Sequence, residues 1–500
     1  MFGHDLFLGI DLGTTGVKAA LIDEEGTPVG QLSREYAVYQ PHPNWAEQSA
    51  QGWWEATAAA VRELVSGNGA KGCRVRGISV SSQAPTCLGI DARGIPTGRA
   101  LIWMDRRSQD VCDKVLQPFA QEIRSTCGNR VDPYYFLPKY LWLRKNLPEQ
   151  ECSAACFLQA NGWIVYCMTH EMSIDTTHLT HLQVYDVFHD RWNTKLMEKL
   201  DIDRDKLPRI YRPQEIVGEL TEKAAEELAL PVGIPVVAGC TDAAAAALGL
   251  GHDEVGGLFE MSGQSSGIGL VMDRPRINAR LNLSRGAMED RWNQKGSMSA
   301  TGGALRWYRD KIDRYIGENA YTVYDAMAAQ SPAGARGVIF LPYLTGERAP
   351  LWDSGACGMF FGLRLMAEKQ DLLRAILEGA AYGLRTIRDT FDPKLMTSEY
   401  LLGTGGGYKS SLWAQIKADV LKMPIQVQRS DFDAACMGDA FLAMRANGLQ
   451  PPRNREKRIE KVYVPNPGVG ELYDEGYRIF CSLYEKNREL MKDDLAFAGR

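Results

Sequence analysis

The sequence predicts an α/β protein of two halves built on one plan, with a cleft between them. Three observations carry this. Apolar runs of strand length alternate with amphipathic stretches of helical length along most of the chain. Residues 7–23 (FLGIDLGTTGVKAALID) and 257–273 (GLFEMSGQSSGIGLVMD) share one layout: an apolar run, a Gly–polar–hydroxyl turn and a second apolar run. Gly13-Thr14-Thr15 lines up with Gly263-Gln264-Ser265, and self-similarity at so long a spacing marks a repeated unit. The third observation is length: 500 residues suit roughly two to four domains, and the second start sets a boundary near 250–257.

In order, residues 6–10 are an apolar strand ending on Asp11, and residues 17–22 return after the glycine turn. Residues 51–65 read as an amphipathic helix with Trp54, Ala58, Val61 and Leu64 on one face. Strands follow at 75–81 and 88–91. The stretch 107–207 is richer in helix and aromatic residues and reads as an insertion or cap. A strand at 234–238 leads through Gly239-Cys240-Thr241-Asp242 into an Ala-rich helix at 243–250. The second half continues with helices at 299–312 and 319–329, a strand at 337–341 and a long helix at 369–391. A strand at 399–403 runs into Gly405-Gly406-Gly407 and a helix at 410–421. The predicted division is 1–252, 253–455 and a charged tail, 456–500.

Composition is that of a soluble globular protein, 45% hydrophobic and 24% charged. A net charge of −5 points away from nucleic acid and membrane surfaces as partners. The eleven cysteines form no C-x-x-C pair, which suits reduced thiols in the cytoplasm. No signal peptide is expected at the N-terminus, and no stretch is long and apolar enough for a bilayer. Oligomeric state is not fixed; a homodimer is the generic expectation.

Glycine turns let backbone amides approach an anion, so two such turns across a cleft can clamp a triphosphate. Thr14, Thr15 and Lys18 add donors and charge, and Asp11 is placed to hold a Mg²⁺ bridging phosphate oxygens. The bland alternative is an ordinary hairpin. The Gly405 loop also follows a strand and opens a helix, a geometry suited to a nucleotide. Neither a dinucleotide fingerprint nor a G-K-[ST] phosphate loop is present. Asp242 is the natural general base for phosphoryl transfer, its alternative being a plain helix N-cap.

Gly358-Met-Phe-Phe-Gly-Leu363 with Asp371-Leu-Leu-Arg-Ala-Ile-Leu-Glu378, Pro138-Lys139-Tyr140-Leu141-Trp142-Leu143, LPYLTGERAPLWD at 341–353 and the Gly405 loop complete the pattern. With the opening hairpin they make the chain resemble the FGGY carbohydrate kinases over residues 6–450. Phe136 departs from the Pro, Ser or Thr usual there. The resemblance implies two ribonuclease-H-like (actin-like) domains with ATP, Mg²⁺ and a sugar in the cleft. It implies that residues 1–252 bear the sugar and the base and 253–455 the nucleotide. Asp242 would be the base and Asp11 would help hold the metal. Thr14, Thr15, Lys18, Gly263 and Ser265 would lie by the phosphates, with Gly302 and Gly303 a further nucleotide contact. Gly405, Gly406, Gly407 and Ser410 would flank the adenosine. Gln264 stands where many members carry Thr, though its amide still donates a hydrogen bond.

The sugar side is expected to include Gln83, Trp103, Asp105, Arg107 and Thr241, since a polyol needs paired donors and acceptors. Ala84 and Pro85 replace the Arg-Glu of glycerol kinases, and Ala243 replaces their Gln. The Met-His-Gly of typical xylulokinases is also missing. The layout resembles a xylulokinase-like branch, which implies a five-carbon ketose or related polyol. A kinase of another polyhydroxy substrate (ribulose, gluconate, a signalling sugar) and a non-catalytic ATP- or sugar-binding regulator are the alternatives. His178, His181 and His189 read as surface or core histidines, since no matched ligand spacing accompanies them.

Overall fold

The computed structural model describes residues 5–67, 74–314, 317–429, 432–452 and 458–498. Strand β1 (Asp5–Leu12) is buried along nearly its whole length, as a continuous apolar run in a sheet covered on both faces should be. It pairs antiparallel with β2 (Gly16–Asp23), which pairs antiparallel with β3 (Pro28–Glu35). On its other side β1 runs parallel to β4 (Arg74–Ser82). With β5 (Ile216–Glu219), β6 (Pro235–Val237) and β7 (Cys240–Thr241), these make a seven-stranded sheet of order β5-β6-β4-β1-β2-β3, β7 pairing with β4.

The second sheet repeats the wiring. Its centre, β8 (Leu258–Ser262), pairs antiparallel with β9 (Ser266–Met272) and parallel with β12 (Leu401–Thr404). Flanked by β10 (Asn282–Arg285), β11 (Trp292–Met298), β13 (Ile425–Gln428) and β14 (Ile459–Tyr463), its order is β10-β11-β9-β8-β12-β13-β14. In both halves the opening hairpin lies beside a parallel crossover partner, the repeat read from the two glycine turns.

Helix α1 (Ala50–Ser66) is capped by Ser49, whose side chain accepts from the Gly52 amide. It buries the expected face, Trp54, Ala58, Val61 and Leu64, and Trp53 besides. The aromatic stretch after residue 107 forms α2 (Phe136–Asn146) and α3 (Ala160–Thr169) with short strands and turns between and after them. The second half adds α5 (Gly302–Trp307), α6 (Lys369–Arg388) and α7 (Ser411–Leu421). Residues after 455 contribute β14 to the second sheet, and α9 (Gly470–Ala498) buries Tyr473, Phe480 and Met491. Among the described residues no helix is long and apolar enough to cross a membrane.

The halves are joined by two facing helices, α4 (Asp242–Leu250) and α8 (Ala434–Ala446). Small residues allow their backbones to touch: a Cβ on Gly249 would stand 2.0 Å from the Ala434 carbonyl oxygen, and one on Gly438 1.9 Å from that of Ala245. Although it lies between β13 and β14 of the second sheet in sequence, α8 packs on the first. A Cβ on Gly9 of β1 would fall 1.9 Å from the Cys436 carbonyl oxygen. Buried Asp439 on α8 accepts from the Ser79 hydroxyl at 2.9 Å and the Ser81 amide at 3.1 Å on β4.

Candidate active site

Four charged groups gather where β1, α4 and α8 end or begin. Asp11 is 7% exposed, and its carboxylate accepts from the Ser81 hydroxyl at 3.2 Å. Burial, then the carboxylates of Asp433 and Asp242, push it up to about 8 against Lys18 and Ser81. Lys18 stands opposite Asp11 in register and pairs with Asp433 at 2.6 Å. Asp433 also caps α8, accepting from the amides of Ala435 and Cys436 at 3.0 Å each.

Asp242 is the first helical residue of α4, with Thr241 at the N-cap, so the Asp is not the cap. Its side chain accepts from the adjacent Ala243 amide at 2.6 Å. Burial raises its pKa; that amide, Lys295 and His178 oppose the rise. The adjoining cleft, about 770 Å³, is lined among others by Thr241, Asp242, Trp103, Tyr134, Lys295 and Arg348.

The first turn closes by a Gly13 amide to Gly16 carbonyl bond of 3.0 Å. A Cβ on Gly16 would meet the Arg34 carbonyl oxygen at 2.5 Å, which restricts that position to glycine. The Thr14 hydroxyl accepts from the Trp103 indole at 2.9 Å, and Thr15 is exposed. The second turn is open to solvent at Gly263, Gln264 and Ser265. Gly302 and Gly303 hold it from beneath: their amides donate to the Gly263 and Gln264 carbonyls at 3.2 and 2.9 Å. Those two amides therefore anchor the turn.

The Gly405 loop sits beside the second turn. Gly405 has φ 100°, and a Cβ there would stand 2.4 Å from the Ser262 carbonyl oxygen. Gly406 faces open space, and a Cβ on Gly407 would meet the Ser262 hydroxyl at 2.1 Å. The Ser410 hydroxyl caps α7, accepting from the Trp413 amide at 3.0 Å. A fully buried ion pair braces the loop: Lys417 donates to Glu260 at 2.6 Å and to the Ser262 hydroxyl at 2.7 Å, while Tyr408 donates its hydroxyl to Glu260.

Two glycine turns, a glycine loop and a cleft with a carboxylate on its wall are features shared with a known family. The model of the FGGY family of carbohydrate kinases, N-terminal domain, matches residues 6–249, and that of its C-terminal domain matches 261–447. The chain belongs to this family. It is 28% identical to a xylulose kinase of Staphylococcus epidermidis over 99% of each chain. It is 27% identical to a gluconokinase of Bacillus subtilis over 88% of this chain and 87% of that one. The crystal structure of a xylulose kinase from Rhodospirillum rubrum superposes with a TM-score of 0.90 at 28% identity, covering 97% of this chain and 99% of that one. The chain is thus a two-domain carbohydrate kinase that uses ATP.

On this kinase's sugar side the structure separates the expected residues. Trp103 and Thr241 line the cleft; Gln83, Asp105 and Arg107 stand behind its wall. Gln83 is 1% exposed and donates to Gln48 at 2.6 Å; Gln48 in turn holds the Thr14 carbonyl at 2.7 Å. Asp105 accepts from Arg107 and from the Ala46 amide at 2.7 Å. Arg107 also pairs with Glu47 at 2.8 Å and stacks on Trp45. Charge within the Asp-Arg-Arg run made Asp105 and Arg107 attractive, but they satisfy each other, and it is Arg106 that lines the cleft.

Sequence reasoning missed Tyr134, Lys295 and Arg348. Tyr134 sits on a loop gripped by buried Lys139, which donates to the Pro133 carbonyl at 2.6 Å and to that of Tyr134. Burial brings Lys139 down to about 7. The lysine of the PKYLWL run was the available signal. Lys295 lies in a strand with no local signature, and it feels the charges of Asp242 and Arg348.

Proposed function

We propose that this kinase transfers the γ-phosphoryl group of ATP to a hydroxyl of a ketopentose such as xylulose, with Asp242 as the general base. One observation supports this most: Asp242 opens α4 on the wall of the cleft, with Thr241 and not Asp242 at the N-cap. Phosphoryl transfer needs positioning, charge neutralisation and a carboxylate to accept the acceptor's proton. Asp242 takes that proton. Trp103, Tyr134 and Thr241 hold the acceptor, while the first turn and Lys18 steady the phosphates. Gly263, Ser265 and the Gly405 loop, braced by Glu260–Lys417, seat the nucleotide on the second half. The first half carries the acceptor and the base.

Asp11 fits a cation: it is buried, takes one side-chain hydrogen bond, and faces two further carboxylates. Mg²⁺ bound there with the nucleotide supplies charge neutralisation at the phosphates. The free thiols of the described cysteines suit a cytoplasmic setting.

Lys295 and Arg348 favour a second reading, a sugar acid as acceptor, because two cations on the wall suit a carboxylate. ATP consumption measured across pentuloses, hexuloses, aldonates and polyols tests both. Fastest turnover with xylulose is expected. Preference for an aldonate would move the assignment to the second reading, and no acceptor-dependent ATP consumption would overturn both.

A further inference from the structure

A buried acid–imidazole pair stands behind the turn that carries Asp242. Asp175 and His178 have fully buried side chains, and His178 Nδ1 lies 2.6 Å from the Asp175 carboxylate. The same carboxylate accepts from the Thr177 amide at 2.9 Å, the Thr177 hydroxyl at 2.5 Å and the Asn161 amide at 3.0 Å. Two of these partners reach the backbone leading to the base. Asn161 donates to the Ala238 carbonyl at 3.1 Å, and the Thr177 hydroxyl accepts from the Thr241 amide at 2.9 Å. A network so fully bonded fixes one geometry. Burial favours a neutral Asp175, yet His178, Thr177 and Asn161 together hold it below its usual range.

One atom of the pair is left over. His178 Nε2 is buried without a hydrogen-bond partner. An unpaired buried polar atom costs about 1–3 kcal/mol, and such a cost marks sites retained for function. A proton on His178 would favour the ionised form of Asp242. His181, whose ring centre is 6.4 Å from that of His178, lines the cleft.

We propose that His178 is a positioning residue for phosphoryl transfer: clamped by Asp175, it fixes the Thr241–Asp242 turn and supplies the imidazole side of the base's surroundings. This rests on Asp242 being the base. Besides His178, the charged and titratable groups felt by Asp242 or adjoining it are Asp11 on β1, Lys295 on β11, Asp433 at the start of α8, Tyr134 and Cys240. Asp175 and His181 flank the imidazole itself.

The test is His178→Asn, which keeps a donor for Asp175 and deletes the Nε2 side of the ring. Turnover should fall about 10- to 100-fold with KM for ATP within about twofold, as for a misaimed group. The acidic limb of kcat/KM should move to higher pH, a shift that a purely structural role would not produce. Thr177→Val cuts Asp175 from the Thr241 amide and should lower turnover without moving the limb. Wild-type turnover and pH profile in folded His178→Asn overturn the proposal; should that variant not fold, wild-type turnover in Thr177→Val does so. Asp242→Asn is run beside them: if it retains turnover, the base assignment falls first, and if it alone is inactive, only the role of His178 falls.

Discussion

Asp242 and Asp433 occupy matching places in the two halves. Asp242 opens the helix that follows β7 and Asp433 caps the one that follows β13, and the two helices pack together. Their duties differ. Asp433 is an N-cap, bonded to two amides of α8 and paired with Lys18. Asp242 lies one residue further into its helix and, among the described residues, accepts from the amide next to it alone. A one-residue offset thus separates a carboxylate that caps a helix from one that lines the cleft. Glu260 carries the first case further, fully buried and spent on Lys417 and Tyr408. The lesson is that repeated backbones can share a form while charge is assigned to fold in one place and to chemistry in another.

The sharpest way to break the comparison is Asp242→Asn. Loss of a general base lowers turnover by about 10² to 10⁴-fold. ATP affinity and Tm should stay near wild type, since no cap is lost; calorimetric titration and thermal melts check this. Full turnover in that variant would leave the two aspartates chemically equal. The largest stability effect should come from Lys417→Met, which strands Glu260 as an unpaired buried charge. Breaking one side of such a pair costs about 3–5 kcal/mol. Denaturant unfolding measures it, and Glu260→Gln/Lys417→Met should recover much of the loss, because no charge is then left buried.

The repeated hairpins, the triple-glycine loop and the carboxylate at the head of α4 were legible because each depends on local spacing. A strand running into a glycine turn fixes what that turn can offer, whatever surrounds it. The surroundings of Gln83, Asp105 and Arg107 were hidden for the opposite reason. Whether a loop side chain faces the cleft is settled by partners far along the chain: Gln48 for Gln83, and Glu47 and Trp45 for Arg107. The seat of α8 on the first sheet was equally hidden. It depends on Gly9, Gly249 and Gly438, whose missing Cβ atoms matter only once the two halves meet. His178 read as a surface or core histidine and is fully buried, while its pairing with Asp175, three residues away, had no visible cue.

Asp433→Ala should cost about 1 kcal/mol, the usual worth of a helix cap. It also releases Lys18. Turnover should fall far less than in Asp242→Asn, by less than about tenfold if capping is the main duty of Asp433. A loss equal to that of Asp242→Asn would place both aspartates in the chemistry.

The smallest effect expected is that of Lys18→Met. The Lys18 ammonium is about half exposed, at 46%, although its partner Asp433 is 14% exposed. An ion pair so open to water is worth about 0.2–1 kcal/mol and weakens as salt rises. Thermal melts should therefore show a small loss of Tm at low ionic strength that shrinks at high salt. Kinetics carry the sharper half of the test. If Lys18 serves Asp433 alone, KM for ATP will follow the small stability change. If it also steadies the phosphates, KM for ATP will rise several-fold while Tm barely moves, because Asp433 keeps its two amide bonds to α8. The second outcome is expected, since Lys18 stands opposite Asp11, beside the first glycine turn.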